Sequence, residues 1–233
     1  MKLIISALLW AVGILHATCA FGVSIAALGI FPSKKIYPLV RFMARMQMRI
    51  MGARLKVVGH EKIDLKKPWF VMGNHESLFD VFIIPAAIPF FFVGVEAASH
   101  FSWPIWGTLT RRWGNIPIPR QKKIRAFSAL KKAADILNSG TSLIILPEGH
   151  RTMTGDVGEF KKGPFHLALT TKADILPFVM SGAYEYKNKH SWMLNPGEIV
   201  VRFGDPIAYE SFKDMSVEEL RDHVRHAVIQ LKK

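Results

Sequence analysis

The sequence predicts an α/β domain with a mixed, largely parallel sheet of about seven strands flanked by helices, preceded by an N-terminal membrane-associated helical element. Three observations predict it. From Arg54 onward, short apolar runs alternate with longer stretches of helical periodicity, the pattern of strands joined by crossover helices. From Leu3 to Phe31, 29 residues pass without a formal charge. Between these regions lies a basic, amphipathic segment. The chain therefore divides into an N-terminal membrane-embedded or interfacial segment, 1–53, and a larger domain, 54–233.

In the first segment only His16 is strongly polar between Leu3 and Phe31. One straight helix of that length reaches about 43 Å, against a hydrocarbon core of about 30 Å. It can tilt, stop short, bend near Gly13 or Gly22, or form a re-entrant hairpin. Lys2 followed by an apolar run also resembles a signal peptide, but the run far exceeds an ordinary h-region. In the next stretch, Lys34–Ala53, Arg41, Arg45 and Arg49 form one helical stripe beside Phe42, Met43, Met46, Ile50 and Met51. Two environments suit it. One is a membrane interface with the arginines at the headgroups, each contributing about 1 kcal/mol near an anionic surface. The other is a solvated face packed on the domain.

Charge and composition point the same way. Half of the 233 residues are hydrophobic, and the net charge is +13. Residues 1–72 hold eleven Lys and Arg against two acids, Glu61 and Asp64. Such a basic face attracts a polyanion. Neither zinc-finger spacing nor an aromatic-basic module argues for nucleic acid, and the adjacent apolar run favours membrane lipids as partner. The basic excess after that run places the larger domain on the cytoplasmic face, of a plasma or inner membrane in a bacterium. The single cysteine, Cys19, allows no intrachain disulfide and reads as a small apolar residue in the first segment.

Within the domain, the strands are expected at Leu55–Val58, Trp69–Met72, Phe90–Val95, Ile116–Ile118, Ser142–Leu146, Ile175–Met180 and Ile199–Phe203. Helices are expected at Ser77–Ala87, Gln121–Asn138, Gly163–Thr171 and Ser216–Leu231. Residues 187–197 read as a surface loop.

Two polar clusters follow predicted strands, the edge at which α/β sheets bind ligands. In Gly73-Asn74-His75-Glu76-Ser77-Leu78-Phe79-Asp80, a turn at His75 and a helix starting near Asp80 bring imidazole and carboxylate together. That pair makes either a structural hydrogen bond or a general base with its orienting group. With no adjacent enzyme nucleophile, such a base activates a hydroxyl of the substrate. In Pro147-Glu148-Gly149-His150-Arg151, Gly149 permits close backbone approach, Glu148 can bond a hydroxyl or brace an arginine, and Arg151 offers a planar fork for phosphate. Gly114 to Arg120 delivers a second arginine at a strand end, and Lys162 adds charge near Gly163. No second His falls at ligand spacing, so no metal is expected.

Together these pieces resemble the lysophosphatidate acyltransferase branch of the glycerolipid acyltransferase family, over roughly residues 55–210. Four blocks in order carry the likeness. They are Asn74-His75 with Ser77 and Asp80; Gly114 with Arg120; Pro147-Glu148-Gly149 with Arg151, followed by Phe160-Lys161-Lys162-Gly163; and the strand Ile175–Met180 with Pro177. The resemblance implies acyl transfer from a thioester of coenzyme A or acyl carrier protein, without a bound cofactor, to a lysophospholipid acceptor, 1-acylglycerol 3-phosphate. It makes His75 the base and Asp80 its orienter. It places Asn74, Ser77, Arg120, Glu148, Gly149, Arg151 and Lys162 around the substrate. Three departures stand out: Pro119 replaces an Asp before Arg120, His150 replaces a Thr, and Gly94-Val95-Glu96 lacks a lysine at its first position. They leave another lysophospholipid, a lyso-aminolipid or glycerol 3-phosphate as alternative acceptors. A lipid hydrolase lacks its Gly-x-Ser-x-Gly elbow here. A non-enzymatic basic adaptor at the membrane leaves the His75/Asp80 pair unexplained.

Overall fold

A computed structural model describes residues 1–118 and 123–232. Helix α1 (Lys2–Ala27) is continuous through Gly13 and Gly22. Gly13 instead permits a close approach, because a Cβ there would lie 2.5 Å from Met51 Sδ. After a turn ending at Pro32, α2 (Ser33–Ile50) folds back along α1. The two helices are pinned by His16 Nδ1 to Gln47 Oε1 at 2.6 Å and by Gln47 Nε2, which donates to Gly13 O at 3.0 Å.

Helix α1 is long and apolar enough to cross a membrane. One side nevertheless lies on the domain. Leu194 N donates to Ser6 Oγ at 3.1 Å, Trp10 Nε1 to Trp192 O at 2.7 Å, and Arg112 Nη1 to Ile25 O at 2.9 Å. Its other side leaves Leu8, Val12 and Leu15 exposed. Helix α2 buries Ile36, Tyr37, Ala44 and Met48 against the domain, and Arg45 Nε donates to Ala86 O. Its arginine stripe is thus partly a packing contact, while Leu39 and Phe42 stay exposed.

The strands are β1 (Ala53–Val58), β2 (Phe70–Gly73), β3 (Phe92–Ala97), β4 (Ile116–Ile118), β5 (Ser142–Ile145), β6 (Ile175–Ser181) and β7 (Gly197–Phe203). They form one sheet in the order β1-β7-β6-β2-β5-β3-β4. Every pairing is parallel except β6 with β7. The central strands β2 and β5 are buried at every residue, as expected for a sheet covered on both faces. On one face, Val71, Ile144 and Leu176 meet Tyr37 and Met48 of α2 and Ile83 of α3 (Asp80–Ala87). On the other, Phe70, Met72 and Val179 pack with α5 (Lys123–Asn138), α6 (Gly163–Thr171) and α8 (Val217–Lys232).

All seven expected strands form, displaced by at most two residues at either end. Among the described residues two α-helices lie outside the sequence expectation, α4 (Trp106–Trp113) and the single turn α7 (Ala183–Tyr186). The first reads as polar and basic in sequence; the second is too short for any period to show. Helix α3 begins at Asp80 rather than Ser77, because residues 74–79 are used in a loop. Arg120 lies outside the described residues.

Candidate active site

Neighbouring parallel strands β2 and β5 end at the same edge, so the segments after Gly73 and Ile145 emerge side by side. The first carries His75. Its Nδ1 lies 2.6 Å from Asp80 Oδ2. Asp80 occupies the first turn of α3, where the helix dipole favours a negative charge. The same oxygen accepts from Glu76 N at 2.9 Å, and Oδ1 accepts from Ser77 N at 3.1 Å. A carboxylate so filled only accepts, so Nδ1 carries the imidazole proton and Nε2 presents its lone pair. Among the described residues Nε2 has no partner, and the ring is 26% exposed. The geometry allows the imidazole to act as a base with the carboxylate as its orienter.

Asn74, Glu148 and Ser77 bind the surrounding loops. Asn74 Nδ2 donates to Met180 O, and Met180 N donates to Asn74 Oδ1 at 2.7 Å, which ties the β2 end to β6. Glu148 is buried, with His75 N donating to Oε1 at 2.8 Å and Gly158 N to Oε2 at 3.0 Å. Burial raises its pKa, opposed by those two N–H groups. Thr152 N donates to His75 O at 2.8 Å, so the β5 loop holds both backbone polar groups of His75. Ser77 Oγ donates to Lys187 O at 2.8 Å, directing the hydroxyl away from the imidazole.

Gly149 adopts a φ of +71°, and a Cβ there would meet Lys161 Nζ at 2.7 Å. The lysine that packs on this loop is therefore Lys161. Lys162 is engaged elsewhere, its ammonium paired with Glu218 in the first turn of α8. His150 is exposed and Arg151 half-buried. Glu76, Lys187 and Lys232 had no role in the sequence reading. Lys187 is 9% exposed and forms no ion pair among the described residues; its Nζ donates to Asn188 O at 2.6 Å. Burial and then the nearby Arg151 charge lower its pKa. Glu76 is also buried, and burial pushes its pKa up to about 7. In sequence, Glu76 looks like any motif-flanking residue and Lys187 like part of a polar loop. Only a count of partners after folding distinguishes them.

Aromatic residues next to Asp80 in sequence pack on α1. Phe79 packs on Trp10 of α1 with centroids 5.6 Å apart, and Phe82 stacks on Phe21 at 5.9 Å. Leu78 and Val81 remain exposed.

The sequence profile of the family described as Acyltransferase matches residues 54–181, more than half of the chain. The chain belongs to the acyltransferase family. It is similar to a 1-acyl-sn-glycerol-3-phosphate acyltransferase of Cocos nucifera, with 31% identity over 74% of this chain and 56% of that protein. Another of the same name, from Saccharomyces cerevisiae, is 29% identical over 77% of this chain and 60% of its own length. The chain thus spans somewhat over half the length of these curated relatives. The fold of this acyltransferase-family chain is also that of the crystal structure described as the 1-acyl-sn-glycerophosphate (LPA) acyltransferase, PlsC, from Thermotoga maritima. The TM-score is 0.86 at 24% identity, covering 99% of this chain and 95% of that one.

Proposed function

We propose that the protein transfers a fatty acyl group from a thioester, of coenzyme A or acyl carrier protein, to the free hydroxyl of 1-acylglycerol 3-phosphate, giving phosphatidate. The observation that carries this is the His75–Asp80 pair, with its open Nε2 and with the neighbouring Ser77 hydroxyl bonded elsewhere. A base without an enzyme nucleophile acts on a nucleophile brought by the substrate. The relatives' names supply the acceptor class.

In the proposed reaction, Nε2 takes the hydroxyl proton as the acceptor oxygen bonds to the thioester carbonyl carbon. The tetrahedral intermediate collapses, the C–S bond breaks, and the imidazolium returns its proton to the departing thiolate. Asp80 stabilises the imidazolium meanwhile. Base catalysis of this kind contributes about 10²–10⁴-fold in rate. Arg151 and Lys187 supply positive charge for the acceptor phosphate, and Arg120 is a further candidate. The aromatic packing on α1 suits an acceptor and an acyl chain that arrive from a lipid layer, with the basic side of the chain toward anionic headgroups. The domain then sits on the cytoplasmic face, where thioester donors are present.

The test is transfer by detergent-purified protein from radiolabelled acyl thioester, with and without 1-acylglycerol 3-phosphate. Labelled phosphatidate that appears only with the acceptor is the expected result. Transfer confined to other lysolipids or glycerol 3-phosphate would replace the acceptor. A folded protein that leaves thioester intact with every acceptor would overturn the enzymatic reading.

A further inference from the structure

We propose that Lys232, in the last turn of α8, is a positioning residue for His75 that acts by keeping the buried Glu76 ionised; this rests on the function proposed above. Glu76 lies between His75 and Ser77, and its side chain is 1% exposed. Oε1 accepts from Lys232 Nζ and from Asn74 Nδ2 at 3.1 Å. Oε2 accepts from Ala183 N and Tyr184 N, both at 3.1 Å. Four donors from three separate parts of the fold therefore converge on one carboxylate. The backbone of the same residue donates to Asp80 Oδ2, the oxygen that holds His75 Nδ1. Any shift of Glu76 is transmitted to the orienter through a single hydrogen bond.

The ionised form satisfies all four donors, whereas a protonated carboxyl would point an O–H at one of them. Ionisation is opposed by burial and by Asp80 on α3, and is favoured by Lys232 on α8 and the Tyr184 amide. Lys232 also donates to Gly155 O, in the segment after Arg151. Two turns earlier on α8, Arg225 donates to Gly158 O at 2.7 Å and Val157 O at 3.0 Å, and Gly158 N in turn binds Glu148. Helix α8 thus grips both loops that hold His75, and Lys232 does so by a direct hydrogen bond to a titrating side chain.

The experiment compares Lys232→Met and Lys232→Arg, each also in a Glu76→Gln background, by the pH profiles of kcat and KM. Lys232→Met should lower kcat at neutral pH by about fivefold, leave the acceptor KM within about twofold, and move the acid limb of kcat up by about one pH unit, so that activity recovers at higher pH. Lys232→Arg should restore the original profile. In the Glu76→Gln background, Lys232→Met should no longer move the limb. A loss of kcat equal at all pH values, a limb shift that persists with Gln at position 76, or no change at all would each overturn the proposal. The His75 ring is followed in parallel by NMR titration without substrate. Its resonances should report the Glu76 titration, displaced upward in Lys232→Met. That arm decides the proposal even if the wild-type protein transfers no acyl group, and thermal melts separate misfolding from mispositioning.

Discussion

Around His75 the protein supplies a partner for each buried polar side chain, whereas around Arg151 the cations Arg151 and Lys187 form no ion pair among the described residues. On the first side, Asp80, Asn74, Glu76 and Glu148 accept or donate from several directions, and the ring is held through Nδ1 and both backbone polar groups. On the second, Lys187 is buried without a counter-ion near Arg151, and Lys161 packs over Gly149. Buried charges are ordinarily paired, because desolvation is costly. On the function proposed above, the base is finished before a ligand arrives, while the basic side awaits an anion. In that proposal, pre-organisation of the reacting group and binding of the headgroup fall to different loops, and substitutions should separate them as kcat and KM effects.

The largest effect should come from His75→Ala. We expect kcat to fall about 10²–10⁴-fold with the acceptor KM nearly unchanged, measured by steady-state transfer of labelled acyl groups. Asp80→Asn should come next, with a loss of about 10²-fold in kcat, because an amide can donate to Nδ1 and favour the wrong tautomer. On the other side, Lys187→Met should raise KM for a phosphorylated acceptor about tenfold and spare kcat, the scale of one charge-assisted hydrogen bond. A neutral acceptor should not sense that change. A loss of kcat with unaltered KM in Lys187→Met would merge the two sides into one unit and break the contrast.

The smallest expected effect is on stability. Burial holds Glu76 near a pKa of about 7, above its ordinary 4.5, so the folded chain binds this proton more tightly than the unfolded chain. Its stabilising contribution is full below about pH 4.5 and is lost as pH rises through about 7. Glu76→Gln lacks this dependence. Melting temperatures across that window should therefore turn progressively against the wild-type protein relative to the variant. Parallel curves would show that Glu76 titrates as an ordinary carboxylate, and the His75 side would lose its one ionisation tied to distant packing.

The elements legible in sequence were those with local causes. Seven apolar runs became seven strands, and the Gly163–Thr171 helix lies where its periodicity placed it. Single-residue features were harder to read. The helix expected from Ser77 starts at Asp80, and the backbone N–H groups of Glu76 and Ser77 ahead of it donate to the Asp80 carboxylate. Of the adjacent lysines at 161 and 162, the sequence singles out the second, yet Lys162 pairs with Glu218, 56 residues away, and Lys161 covers Gly149.

By itself, then, the sequence determined the α/β alternation, the apolar and basic character of the N-terminal segment, and the placing of the His75 and Glu148 clusters at strand ends. Hydrophobic period and residue chemistry act within a few positions and need no knowledge of the rest of the chain. Tertiary structure alone decided that α1 lays one side on the domain, that Lys187 comes to stand near Arg151, and that Lys232 reaches Glu76 across 156 residues. Those contacts depend on the order of strands in the sheet and on which helix closes over which loop. No local pattern encodes that order, because each contact joins segments that meet only when the whole core has packed.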